Sequence, residues 1–394
     1  MAKNIAVGID IGTYQIKIVV VENIHEDGKD NYKVIGTGFA ESKGLRHGYI
    51  INSNDTKRSL DLAIAQAEKS SNVKIKRAFL SIGGIGVGSV VSHGSIMIPR
   101  ADSEITEIDI KNVLSIAESE IPANISINKK IIHTIPISYK IDGRTVLGRP
   151  IGMKGVKFEA KVLFVTCLEH HLNDLISTVE DLGIEVENIM ASALAGSLVV
   201  LNKTQKIAGC VLANIGSETV SIVVFENNMP ISLEVFPIGG TDITNDIALG
   251  LKIPLEEAES LKLNTEKEVD YPKKRLEEII LARLSDIFDL IESHLKKLGR
   301  SGLLPAGIIL TGGTSGVSTI EDLAKAILKL PSKIGSVNFI SNLKNCQVKD
   351  SSWSVAYGLC IWGLINNDEN SFGAPVTSNK PKPWLFTWFK QFLP

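Results

Sequence analysis

The 394 residues carry 42 Lys plus Arg against 44 Asp plus Glu, a formal net charge of -2, with 44% hydrophobic residues. This balance excludes the basic excess of a dedicated nucleic-acid binder, so no nucleic-acid partner is expected. No run reaches the ~18–20 apolar residues that span a bilayer, and the length suits two or three domains.

Residues 4–10 (NIAVGID) are apolar and rich in β-branched types. The turn IGT, a second run IKIVVVEN, the polar stretch HEDGKDN and a third run YKVIGTGFAE follow, a pattern of strand, Gly turn, strand, turn, strand. The stretch 81–98 is Gly-rich and strand-like. No long helix follows its Gly83-Gly84-x-Gly86-x-Gly88 run, which therefore reads as a flexible join rather than a dinucleotide fingerprint. Periodicity predicts a helix over 104–121 with Ile108, Val113, Ile116 and Ala117 on its apolar face. The strands IIHTIPISYKI and GVKFEAKVLFVTC complete a small inserted α+β module. LEHHLNDLISTVEDLG is predicted as a helix ended by Gly183, and VENIMASALAGSLVVL as a connecting helix.

The opening unit then recurs about 200 residues on, too long a period for a solenoid. GCVLANIG, TVSIVVFEN, the tight turn NNMP and ISLEVFPIGG repeat its order. PLEEAESLKL and 273–298 are helical, the latter opening after Pro272 and stopping at Gly299. PAGIILTGGTSGV is a buried strand running into a Gly-rich loop and a helix over Ile320–Leu330, and SSWSVAYGLCIWGLI is a last helix. Residues 366–381 are polar and aperiodic, as a linker is. Cys167, Cys210, Cys346 and Cys360 lie far apart, with no C-x-x-C pair. They read as reduced, mostly buried thiols in a cytoplasmic protein.

Three turns carry the chemistry. Asp10-Ile11-Gly12-Thr13 sits between two strands, where a carboxylate can hold Mg²⁺ through waters and the glycine lets backbone approach a phosphate. Asn214-Ile215-Gly216-Ser217 occupies the matching place in the second half. Leu310-Thr311-Gly312-Gly313-Thr314 lies between a strand and a helix, where N–H groups face a ligand. Together they imply a nucleotide, ATP or ADP, in a cleft between two lobes.

This order of loops resembles the superfamily of actin, heat-shock chaperones and sugar kinases. Within it, the chain resembles the bacterial FtsA cell-division family over essentially its full length. KIIHTIPISYKIDG and GRPIGMKGVKFEAKVLFVTC resemble the inserted, SHS2-like 1C subdomain of that family. FPIGGTDITNDIALGLKIPLEEAESLKL and IILTGGTSGV resemble its nucleotide segments. The resemblance implies an α/β, two-lobed actin-like ATPase fold of duplicated βββαβα halves. Subdomain 1A would be 1–80 and 164–198, 1C would be 81–163, 2A would be 199–240 and 301–365, and 2B would be 241–300.

It further implies a protein that binds ATP, polymerises, and tethers FtsZ filaments to the inner face of the cytoplasmic membrane at the division site, with the FtsZ C-terminal tail bound by 2B. Asp10, Gly12, Thr13, Tyr14 and Gln15 fall on phosphate loop 1, and Asn214, Gly216, Ser217, Glu218 and Thr219 on phosphate loop 2. Gly239, Gly240, Glu259, Lys262, Gly312, Gly313 and Thr314 fall on the remaining nucleotide contacts, with Asp10 the Mg²⁺-linked acid. The alternatives are an active ATPase or sugar kinase of the superfamily, or a PilM-like pilus-assembly adaptor.

Phosphate loop 2 departs from the family's usual D-x-G-G-G-T-T, reading N-I-G-S-E-T-V. Asn214 brings no negative charge to a metal, Glu218 is expected near the γ-phosphate, and Gln15 stands where the family often has Lys. No acid occupies Ser192. Hydrolysis is therefore expected to be weak, since phosphoryl transfer depends on charge stabilisation. Lys296, Lys297 and Arg300 at a helix end read as a solvated, dipole-complementing face, close to the region that the resemblance assigns to FtsZ. In the tail 382–394, Trp384, Leu385, Trp388, Phe389 and Phe392 share one helical face behind the linker, the pattern of an interfacial membrane-targeting helix.

Overall fold

A computed structural model describes residues 4–26, 29–100, 102–263, 271–337, 339–341 and 350–370. Cys346, the linker beyond Asn370 and the aromatic tail lie outside the described residues.

The first half opens with β1 (Ile5–Ile11), β2 (Gln15–Glu26) and β3 (Lys29–Glu41), an antiparallel meander with Ile11 opposite Ile16 across the first turn. The short hairpin β4 (Leu45–Arg46) and β5 (Tyr49–Ile50) follows, then α1 (Ser53–Ser71), unassigned from the sequence, and β6 (Arg77–Ile82). Asn52 caps α1 by accepting from the backbone N–H groups of Asn54 and Asp55, satisfying two of its free donors.

The inserted module comprises β7 (Gly88–Met97), α2 (Glu107–Ser119), α3 (Ala123–Ser126), β8 (Lys129–Ile141), β9 (Arg144–Val146) and β10 (Lys157–Leu168). Its sheet runs β7-β10-β8-β9, and α2 buries Ile110, Val113, Leu114 and Ala117 against it. That face corrects the expected one: Ile108 is 65% and Ile116 37% exposed. The set 110, 113, 114, 117 keeps the i, i+3, i+4, i+7 repeat, whereas the interval from 108 to 113 does not.

The chain returns to the first lobe through α4 (Glu169–Glu180), β11 (Glu185–Ala191) and α5 (Ser192–Val200). The segment VENIMA, expected to be helical, is thus a strand. It pairs in parallel with β6 at the sheet edge, and strand pairing overrides local helix propensity there. The first-lobe sheet now runs β11-β6-β1-β2-β3, with a sixth strand still to join β3 from late in the chain.

After α6 (Lys203–Ala208), the second half repeats the plan with β12 (Cys210–Ile215), β13 (Val220–Glu226) and β14 (Met229–Phe236). Then come α7 (Gly240–Leu251), α8 (Leu255–Lys262), α9 (Lys273–Lys297), β15 (Ile308–Thr311), α10 (Ile320–Leu328) and β16 (Ser332–Ile334). Its sheet order is β14-β13-β12-β15-β16. Leu276, Ile280, Leu284, Ile287, Phe288, Ile291 and Leu295 of α9 are buried in the second core, each contributing ~1.5–3 kcal/mol. The strand β17 (Ile340–Ser341) crosses back to join β3, and α11 (Ser354–Asn370) packs on β1 and α5. α11 continues past Ile365, so the polar stretch from 366 begins as helix. Trp353, Tyr357, Leu359 and Trp362 join the first-lobe core. Cys167, Cys210 and Cys360 are buried free thiols.

Candidate functional site

A cleft of about 690 Å³ opens between the two lobes. Its walls are the turns that end β1, β12 and β15, because each strand delivers its last residue to the same end of its sheet. In the first turn the Ser42 hydroxyl donates to Gly12 O (2.5 Å), and Ser42 N donates to Tyr14 O (2.9 Å). In the second, Gly216 N donates to Thr219 O (2.9 Å), while Gly216 O accepts from Gly240 N (2.9 Å) and the Thr314 hydroxyl (3.1 Å). That last bond ties the third turn to the second. Gly312 has φ +92, and a Cβ there would stand 2.4 Å from Ile215 O and 2.5 Å from Asn214 Oδ1, so only glycine fits. At Gly313 a Cβ would meet no atom within 4 Å. This is backbone facing open cleft, which is the room a phosphate needs.

The charged floor lies on the first lobe. Asp10 Oδ1 accepts from the Ser81 hydroxyl of β6 (2.7 Å). Lys17 sits directly opposite Asp10 in the β1–β2 register, donates to Ser352 O (3.0 Å), and lies 5.7 Å from the Trp353 ring centroid. Burial pushes the Asp10 carboxyl above its ordinary range, against the pull of Ser81 and Lys17. Burial likewise lowers Lys17, against the attraction of Asp10 and Asp350. Across the cleft, the side of Lys262 is closed by a tight network. Its side chain is 6% exposed, and the ammonium donates to Glu259 Oε2 (2.6 Å), the Thr244 hydroxyl (2.9 Å) and Gly240 O (3.1 Å), while Thr244 donates to Glu259.

Asp10, Gly12, Thr13, Tyr14, Gln15, Asn214, Gly216, Ser217, Thr219, Gly240, Glu259, Lys262, Gly312, Gly313 and Thr314 all line this cleft. Two expected residues do not. Gly239 caps α7 from behind, where a Cβ would stand 2.4 Å from Ser217 O. The Glu218 carboxylate turns away from the cleft to accept from His47 N (2.5 Å), because that amide offers a donor across the lobe boundary.

Lys17 was not legible as a site residue from loop spacing alone. Alternation along β2 puts it on the face of Gln15, so the cation missing at 15 is present two positions on. Gly83 and Gly84 also line the cleft. They are not merely a join, since Gly84 (φ +89) packs on Gly48. Ser192 lines it too, from the start of α5.

The residues fit a nucleotide. Among the described residues no group of three or more His, Cys, Asp or Glu could hold a metal ion by itself. Mg²⁺ suits such a site, because it keeps its waters and binds through one carboxylate plus phosphates.

Two duplicated lobes closing glycine turns over an interlobe cleft, with a module inserted in the first, define an actin-like ATPase fold. Proteins of known structure share this fold. A PilM–PilN type IV pilus biogenesis complex superposes with a TM-score of 0.68 at 16% identity, over 91% of this chain and 98% of that one. MreB5 of Spiroplasma citri bound to ADP superposes with 0.52 at 13%, over 94% and 99%. The family model for cell division protein FtsA matches residues 211–358, and that for the SHS2 domain inserted in FtsA matches 84–166. Cell division protein FtsA of Pseudomonas aeruginosa is 31% identical over 413 residues, covering 98% of this chain and 97% of that protein. The chain belongs to the FtsA family of cell division proteins.

Proposed function

We propose that the chain is a nucleotide-binding division adaptor, holding ATP or ADP between its lobes, assembling with copies of itself and attaching FtsZ filaments to the cytoplasmic face of the membrane. The convergence of three glycine turns on one cleft, in a chain of this family, carries the reading. The MreB5 relative in fold is bound to ADP, which supports the same ligand here. Gly12 and Gly313 offer backbone N–H groups to phosphates, while the Gly216 N–H, bonded to Thr219 O, holds the second turn in shape. The Lys262–Glu259–Thr244 network holds α8 against α7 at the far end of the cleft, where a nucleoside would lie. Lys17 supplies positive charge toward phosphate, and Asp10 orients the waters of a cation. Mg²⁺, when bound, would supply screening of the phosphate charge.

With Asn at 214 and Glu218 turned to His47 N, the second turn presents no acid to the cleft, so the site favours retention over turnover. Weak hydrolysis is consistent with a scaffold rather than a sugar kinase. The 1C module would contact the next subunit head to tail, a geometry that yields open filaments. The apolar face of Trp384, Leu385, Trp388, Phe389 and Phe392 supports a reversible membrane anchor that filament avidity strengthens. No helix among the described residues is long and apolar enough to cross a membrane.

Titration of the full chain with labelled ADP, with and without Mg²⁺, tests the site. Vesicle flotation of the full chain, Trp388→Glu and a chain ending at Lys380 tests the anchor. A wild type that binds no nucleotide, or variants that float like wild type, would remove the corresponding half of the proposal.

A further inference from the structure

The β4–β5 hairpin carries none of the glycine motifs, yet its tip touches both lobes. Its turn residues His47 (φ 48) and Gly48 (φ 86) are consecutive left-handed positions between the paired Arg46 and Tyr49, the geometry of a tight two-residue hairpin. Gly48 packs so closely on Gly84 that a Cβ would stand 2.4 Å from Gly84 Cα. The Tyr49 ring lies 4.6 Å from that of His171, whose Nε2 is 2.9 Å from Gly83 O. The hairpin is thus anchored in the first lobe at the root of the inserted module.

From the second lobe, Glu218 reaches this hairpin. Glu218 Oε2 accepts from His47 N (2.5 Å), and Glu218 O lies 3.2 Å from His47 Nδ1. Glu218 rides on a stiff support: Thr241 N donates to the neighbouring Ser217 O (2.7 Å), and Gly239 is pressed against the Ser217–Glu218 peptide. The two side chains are half-buried, 34% exposed for His47 and 24% for Glu218, so water competes only in part. On either side of this contact, Gly48, Gly84, Ser217 and Thr219 line the cleft.

We propose that Glu218 is a latch acid, holding phosphate loop 2 of the second lobe against the first-lobe hairpin and so slowing the exit of bound nucleotide. The retention role rests on the nucleotide reading above; the latch itself does not. A carboxylate accepting from a backbone N–H is a charge-assisted bond, and here it closes the phosphate end of the cleft from outside the ligand's space. Opening the cleft requires breaking it.

The test uses the full chain with Glu218→Ala and Glu218→Gln. Hydrogen exchange across residues 45–50 is followed without nucleotide, and release of fluorescent ADP is timed by chase with unlabelled ADP. Glu218→Ala is expected to speed both by about tenfold, the scale of one lost hydrogen bond to a charged group. Glu218→Gln, which retains an acceptor oxygen, is expected to fall between. Exchange of the β13 core amides reports that each variant is folded. Wild-type values for both readouts overturn the latch, and a freed hairpin with unchanged release overturns its role in retention. Slower release in Glu218→Ala would put the carboxylate on the ligand's side and also overturn it. A wild type that binds no labelled ADP overturns the nucleotide reading and the retention role, while exchange at residues 45–50 still reports separately whether the latch closes.

Discussion

The two glycine turns that face each other across the cleft share a backbone and differ in charge. In the first lobe, Ile11 pairs with Ile16 and Asp10 with Lys17; in the second, Ile215 pairs with Val220 and Asn214 with Ser221. The same register therefore places an acid and a base in one lobe and two neutral side chains in the other. A third strand joins each pair in parallel, β6 beside β1 and β15 beside β12. From β6 comes Ser81, bonded to Asp10. From β15 comes Thr311, whose hydroxyl turns to Ser351 O instead (2.9 Å). In the paired turns duplication has preserved geometry while keeping the acid and base in the first lobe only; the second lobe's charges at the cleft, Glu259 and Lys262, come from α8 instead. Of the two facing turns, only the first would therefore offer a carboxylate to a cation.

The largest effect expected is at Gly312, which belongs to the second lobe alone. Gly312→Ala meets both a left-handed φ and backbone 2.4 Å away. It should cost about 3 kcal/mol or more of stability and abolish measurable ADP binding, as followed by thermal unfolding and titration.

Next, exchanging the acids across the cleft probes the asymmetry directly. Asp10→Asn is expected to remove the Mg²⁺-dependent part of nucleotide affinity, about tenfold, and Asn214→Asp to increase it. Calorimetry with and without the metal separates the two. Because burial holds the Asp10 carboxyl above its ordinary range, the metal-dependent gain needs a higher pH to be present. It should fade on acidification before a free aspartate, at about 3.9, would titrate.

Making the first lobe resemble the second sharpens the comparison further. Asp10→Asn alone leaves Lys17 recessed without its facing acid, and is expected to lower stability by about 1–2 kcal/mol. Asp10→Asn with Lys17→Met should recover most of that loss in denaturant unfolding. No recovery would mean that the two groups are not energetically paired.

The smallest effect separates the turns themselves. A Cβ at Gly12 would stand 2.8 Å from Gln15 O, but at Gly216 3.0 Å from Thr219 O. Gly12→Ala should therefore cost more than Gly216→Ala, with both within about 2 kcal/mol. Equal thermal shifts would show that the two turns tolerate a methyl group alike.

Much of the site was legible because its motifs are local. Asp10-x-Gly12-Thr13, Asn214-x-Gly216-Ser217 and Gly312-Gly313-Thr314 each combine a strand, a glycine and a short turn, and each turn needs a backbone that few other residues allow. The recurrence of strand order revealed the duplication for the same reason. Lys17, Gly83, Gly84 and Ser192 were harder to see as site residues, since they come from separate segments. Glu218 was placed correctly in sequence but wrongly in space: the loop fixes its Cα, while its carboxylate follows the best available donor, His47 N.

The sequence by itself determined the family, the repeated meander, the glycine turns and the periodic burial of helices such as α9, because each depends on short-range spacing and on backbone freedom. Only the tertiary structure decided that VENIMA is a strand, since its hydrogen bonds come from β6, distant in the chain. It alone set the buried face of α2, where the sheet selects Ile110 over Ile108. It alone showed that an acid from one lobe holds a hairpin of the other, because a contact between residues 171 positions apart leaves no trace in local pattern.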